Sequence, residues 1–218
     1  MQQIILALAA SSLISLVFLA VSVVVNHTLA DGYLAGNLLL AWLPLIFAGG
    51  LVLALKNHLW LSWRPLVMTV LWLAFLPNSF YMISDLVHLQ TVAVHNLLYD
   101  SVMFELFIIN GLVLGFLSLH FVHQQLKQRL SARSAGWLVA LSLFLTSFAI
   151  YLGRLQRTSS WNLLTNPTRA LFDISSPFVD PAGHGQALTV TLTFFVFLVV
   201  VYFAGRRLVN LLARPAGK

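Results

Sequence analysis

The segment best equipped for chemistry runs Leu76-Pro77-Asn78-Ser79-Phe80-Tyr81-Met82-Ile83-Ser84-Asp85-Leu86-Val87-His88-Leu89. Read as helix after Pro77, it sets Asn78, Tyr81, Asp85 and His88 at i, i+3, i+7 and i+10, one stripe of an α-helix. An amide, a phenol, a carboxylate and an imidazole on one line can hold and move a proton. Asp85 and His88 are a candidate general-base pair, with Tyr81 and Asn78 to orient them. Phe80, Ile83 and Val87 form the apolar counter-face. The plainer meaning is a polar turn at a membrane interface, where Tyr and His are common. Interfacial helices more often carry Lys or Arg on the polar face, and this stripe has neither.

Two more groups could join it. Tyr99-Asp100 is followed by Glu105 within an apolar run. A carboxylate there must face protein or water, or else lie among the headgroups, because lipid does not solvate it. Arg154 and Arg157 stand three apart, close to Trp161. A guanidinium pair can answer the carboxylates, grip a phosphate or carboxylate, or snorkel to lipid phosphates. The expected acid/base or cation-binding set is therefore Asp85, His88, Asp100 and Glu105. The expected substrate-facing set is Asn78, Tyr81, Arg154, Arg157 and Trp161.

The elements that must position these groups follow from composition. The chain has 218 residues, 60% hydrophobic and 8% charged. Soluble domains carry about a quarter charged residues, and so few charges cannot cover a water-facing surface. A bilayer removes that demand, and a crossing needs about 20 apolar residues. The apolar runs predict an all-α polytopic bundle of about six spans at 4–25, 34–55, 65–83, 97–122, 137–153 and 187–203. The fifth is the shortest and the fourth the longest. The first run lacks a charged leader and a small-residue cleavage site, so it is expected as a retained span. A single integral membrane domain over 1–218 is expected.

Charge orders the connections. Lys56, Arg64, Lys127, Arg129, Arg133, Arg206, Arg207, Arg214 and Lys218 fall on one side, nine of the twelve basic residues. The positive-inside rule then predicts both termini in the cytoplasm. All six carboxylates, Asp31, Asp85, Asp100, Glu105, Asp173 and Asp180, lie toward the other side. Acidic residues contribute little to topology, so this is a separate pattern. It fits short polar loops or an outward-facing polar site.

The connection from about 154 to 186 is long for a bundle and too apolar for disorder. Asn166-Pro167 reads as a helix start and Ser176-Pro177 as its end, which predicts a short surface helix roofing the bundle mouth. Gly111, Gly115 and Ser118 form a small-residue seam for close helix packing.

The chain contains no cysteine, which excludes thiolate zinc, iron–sulfur clusters and cysteine nucleophiles. It holds no G-x-S-x-G, P-loop or dinucleotide fingerprint. His88 and His95 stand near carboxylates, but without metal-binding spacing, so no metal is expected. The cofactor stays unknown. The net charge of +6 comes from residues flanking apolar spans, so nucleic acid is not expected as a partner.

The motif Leu76-Pro77-Asn78, Tyr81, Asp85 and His88-Leu89 resembles the signature of a bacterial multi-pass membrane family, domain of unknown function thirteen-sixty-one. Tyr99-Asp100, Gly153-Arg154 with Arg157, and Ser160-Trp161 followed by Thr165-Asn166-Pro167 are similar to it as well. The family pattern Trp-Asn-Ser-Trp-Asp would begin at Thr158 and end at Asn162, so no carboxylate stands at its last position here. The resemblance implies a polytopic topology in a bacterial envelope context and no reaction, and the bacterial inner membrane is the expected location. Three readings stay open: an enzyme on a lipid or envelope substrate, a cation- or proton-coupled transporter, and a non-catalytic assembly partner. The lipid bilayer is the partner common to all three.

Overall fold

The structure, a computed structural model, describes residues 2–90, 97–155 and 185–212. Six α-helices account for most of them: α1 (Gln2–Asn26), α2 (Tyr33–Ala54), α3 (Trp63–Tyr81), α4 (Leu97–Lys127), α5 (Ala132–Leu155) and α6 (Gly185–Leu212). A 3-10 helix over Met82–Gln90 follows α3 directly. There is no strand among the described residues. All six helices are long and apolar enough to cross a bilayer, so the all-α polytopic fold expected from the apolar runs is the fold observed.

The boundaries differ at the polar ends. Helix α5 starts at Ala132, five residues before the expected 137, and the shortest helix is α3 with 19 residues. Arg133 and Ser134 interrupt hydropathy, yet both continue a helix easily. Ser131 accepts the backbone N–H of Ser134, which caps the start. Helices α4 and α6 likewise outrun the hydrocarbon at their basic ends, because polar residues stop membrane burial without stopping helical hydrogen bonding.

The chain divides into two compact units, 1–129 and 130–218. In the first, α2 and α3 form an antiparallel hairpin against α4, with α1 packed on α4 and α2. The fit of α3 to α4 depends on the glycine seam. A Cβ on Gly111 would collide with the Ser79 carbonyl oxygen, and one on Gly115 would stand 2.7 Å from the Phe80 ring. Only glycine lets the backbones come this close. Next along the seam, Trp72 Nε1 donates to Ser118 Oγ at 3.2 Å. Leu76, Phe80, Phe107 and Leu114 are fully buried around it.

Prolines interrupt α2 and α3 in the same region, and polar side chains bond backbone carbonyls beside them. Pro44 lies inside α2 and Pro77 inside α3. Proline lacks an N–H and crowds the preceding turn. In the turn before Pro44, the Ala41 carbonyl accepts Ser79 Oγ at 2.9 Å. Beside Pro77, Asn78 Nδ2 donates to the Phe75 carbonyl at 3.2 Å. In the second unit, α5 and α6 run antiparallel. Phe144 meets Phe195 edge-on, and Tyr151 and Leu152 pack with Ala187.

Candidate functional site

The polar stripe expected after Pro77 is not one α-helical line. Helix α3 carries Pro77 and ends at Tyr81, and Met82–Gln90 winds as 3-10 helix. Ser84 Oγ donates to the Tyr81 carbonyl at 2.6 Å, which diverts that acceptor from the α-helical ladder. With three residues per turn, Met82 and Asp85 stack in one column. Asp85 is therefore rotated away from Tyr81 by about a third of a turn. Nine residues is long for a 3-10 helix, and such stretches mark strain or function.

Asp85 is 1% exposed. Its Oδ2 accepts a hydrogen bond from Asn37 Nδ2 at 3.2 Å, which joins the first part of α2 to the 3-10 segment. Asn37 was not expected from the sequence. Its only signal is that it is an isolated amide near the start of an otherwise apolar span. Two more carboxylates are buried at the same end of this unit: Asp31, at 8% just before α2, and Asp100, at 7% in the first turn of α4. The antiparallel pairings of α1 with α4 and of α2 with α3 place these positions at one end. Lys56, Arg64, Lys127 and Arg129, the basic residues of the unit, are all at the opposite end. Among the described residues no three His, Asp or Glu side chains converge as a metal site.

A second polar layer lies deeper. Trp42 Nε1 donates to Ser12 Oγ at 3.2 Å, and Ser12 Oγ donates to Asn110 Oδ1 at 3.5 Å. Asn110 Nδ2 donates to Ser15 Oγ and to the Leu106 carbonyl, each at 2.9 Å. Ser15 Oγ in turn donates to the Ser11 carbonyl at 3.2 Å. The layer ties α1, α2 and α4 through groups that do not titrate. Above it, the Tyr99 hydroxyl donates to the Phe18 carbonyl at 2.8 Å while the two rings stack. Sequence reading passed over Ser12, Ser15, Trp42 and Asn110, since hydroxyls, indoles and single amides are ordinary inside apolar runs.

Residues 37–201, well over half of the chain, match the family described as Protein of unknown function (DUF1361). The chain belongs to this family. It is a multi-pass integral membrane protein, as the resemblance implied. The matched region contains both Asn37 and Asp85, whereas Ser12 and Ser15 precede it. No curated protein and no solved structure matches the chain significantly.

The remaining expected residues fall as follows. Asn78 and Tyr81 are half-buried on the last turns of α3. Asp100 and Glu105 do not share a face of α4: Asp100 is buried, whereas Glu105 is exposed between Val102 and Ile109. Five residues turn an α-helix by about 500°, so the two side chains diverge by about 140°. The side chains of His88 and Arg154 lie outside the described residues, as do Arg157, Trp161 and the expected surface helix.

Proposed function

We propose that the carboxylate end of the first unit is an acid–base site acting on a lipid-linked or envelope substrate at the periplasmic face of a bacterial inner membrane. The observation that carries this reading is the Asp85 carboxylate, withdrawn from solvent yet held by the Asn37 amide. A fixed, desolvated carboxylate is a strong proton-transfer group, because its position costs no reorganisation during reaction. Asp85 takes a proton from an attacking hydroxyl and returns it to a departing oxygen. Asn37 fixes the carboxylate plane, and His88, three residues on in the sequence, is the second titratable candidate. The orientation rests on the nine basic residues of the opposite side, which put both termini in the cytoplasm. The transporter reading has less support: the deeper layer of the first unit is made of amide, hydroxyl and indole groups, with no carboxylate to carry coupling across.

One observation favours a structural reading. The Asn37–Asp85 bond joins α2 to the 3-10 segment and would serve as a lock in an assembly partner. A swap separates the two. Asn37→Asp combined with Asp85→Asn keeps an amide–carboxylate pair but moves the carboxylate to α2. Each variant is expressed in a deletion strain, and envelope lipids are profiled beside protein abundance. The acid–base reading expects normal abundance without rescue for Asp85→Asn and for the swap. Full rescue by Asp85→Asn removes it.

A further inference from the structure

We infer that the groove between α2 and α3 at the basic end of the first unit binds an anionic phospholipid, with the headgroup phosphate on Arg64 and His58 and an acyl chain along Leu53, Val67 and Met68. The groove has a volume of about 410 Å³. Its walls are largely apolar, and its polar lining residues are Asn57, His58 and Arg64. Gly50 sets its depth, since a Cβ there would stand 3.1 Å from Met68 Sδ. Arg64 is held with its guanidinium 5.3 Å from the centre of the Trp63 ring, which leaves its donors free of any competing carboxylate on this hairpin.

The connection beside the groove supplies the second observation. Leu59 is 82% exposed, Leu61 88% and Trp63 70%. Trp60, between them, is turned inward: its Nε1 donates to Thr69 Oγ1 at 3.1 Å, and Arg129 lies 5.7 Å over its ring. Arg129 also donates to the Leu55 carbonyl at 3.2 Å, so the connection is pinned to the end of α4. A pinned loop that presents two leucines and a tryptophan beside Lys56, His58 and Arg64 matches the boundary between headgroups and acyl chains. Charge complementarity selects the headgroup. Asp31, Asp85, Asp100 and Glu105 all belong to the other half of the unit, so nothing acidic opposes a phosphate here. The apolar walls select a lipid over a free anion. This site does not depend on the Asp85 reading.

The test uses the full chain in phosphatidylcholine nanodiscs containing a trace of phosphatidylglycerol or of phosphatidylcholine, each with a photoreactive diazirine on its acyl chain. Crosslinks are mapped by peptide mass spectrometry. Phosphatidylglycerol is expected to label residues 50–68 about fivefold more than phosphatidylcholine, the effect of one basic side chain near the membrane surface. Arg64→Gln should bring that ratio to about one, and Arg64→Lys should restore most of it. Gly50→Leu fills the groove against a flexible methionine end and should abolish the labelling. Excess inorganic phosphate should not compete. Equal labelling of wild type by the two lipids overturns the proposal, as does competition by phosphate, which would mark a soluble-anion site. If Arg64→Gln fails to fold, the wild-type ratio and Gly50→Leu still decide.

Discussion

The two polar layers of the first unit are equally buried and chemically unlike. The deeper one, Ser12, Ser15, Trp42 and Asn110, consists of groups whose charge never changes, and its donors and acceptors close on one another. The other sets a carboxylate, Asp85, against the Asn37 amide. The two lie about 7.5 Å apart along α2, taking five residues at 1.5 Å each. Neutral groups that satisfy each other act as packing, and in membranes such bonds contribute about 0.6 kcal/mol each. A buried carboxylate is a costly way to fasten helices, because amides and hydroxyls do it without a charge to desolvate. On the acid–base reading proposed above, the deeper layer fixes the bundle and the Asp85 layer uses it.

Four variants break or sharpen that contrast. The largest effect belongs to Gly111→Val, which drives a Cβ into the Ser79 carbonyl and separates α3 from α4. Both layers lose their register, so little folded protein should remain by detergent size-exclusion chromatography. A normal, monodisperse yield would refute the claim that the seam positions both layers. Asp85→Asn keeps shape and hydrogen-bonding capacity but not acid–base chemistry. Envelope activity in complementation should fall by about 100-fold or more, with the melting temperature nearly unchanged. Matched losses of stability and rescue would place Asp85 with the packing groups.

Asn110→Leu reverses the pattern. It removes the centre of the deeper layer and should cost about 1 kcal/mol in thermal unfolding, while a protein that still folds keeps its rescue. Loss of rescue at full stability would make the deeper layer functional and collapse the distinction. Trp42→Phe is the mildest. It deletes one donor to Ser12 and should cost about 0.6 kcal/mol with full rescue. A larger loss than that of Asn110→Leu would show that Trp42, not Asn110, anchors the layer.

Helix number and class could be read from the chain, because a bilayer demands long apolar runs and a backbone that satisfies itself within each span. The Gly111 and Gly115 seam was readable for the same reason: small residues at helical spacing have one main use in lipid. Asp85 could be singled out by type and place. Its partner could not, since Asn37 and Asp85 are 48 residues apart and joined only by the α2–α3 hairpin. The winding after Tyr81 was equally hidden. Residues 82–90 suit either helical form, and the hydroxyl bond from Ser84 to Tyr81 belongs to the folded state. Glu105 shows the limit from the other side: residue type and place grouped it with Asp100 in one candidate set, whereas the faces of α4 divide them. Local hydropathy and charge are properties of the string, so the string settled membrane insertion and family. Which polar groups meet depends on helix rotation and pairing across distant segments, and packing in three dimensions decides that.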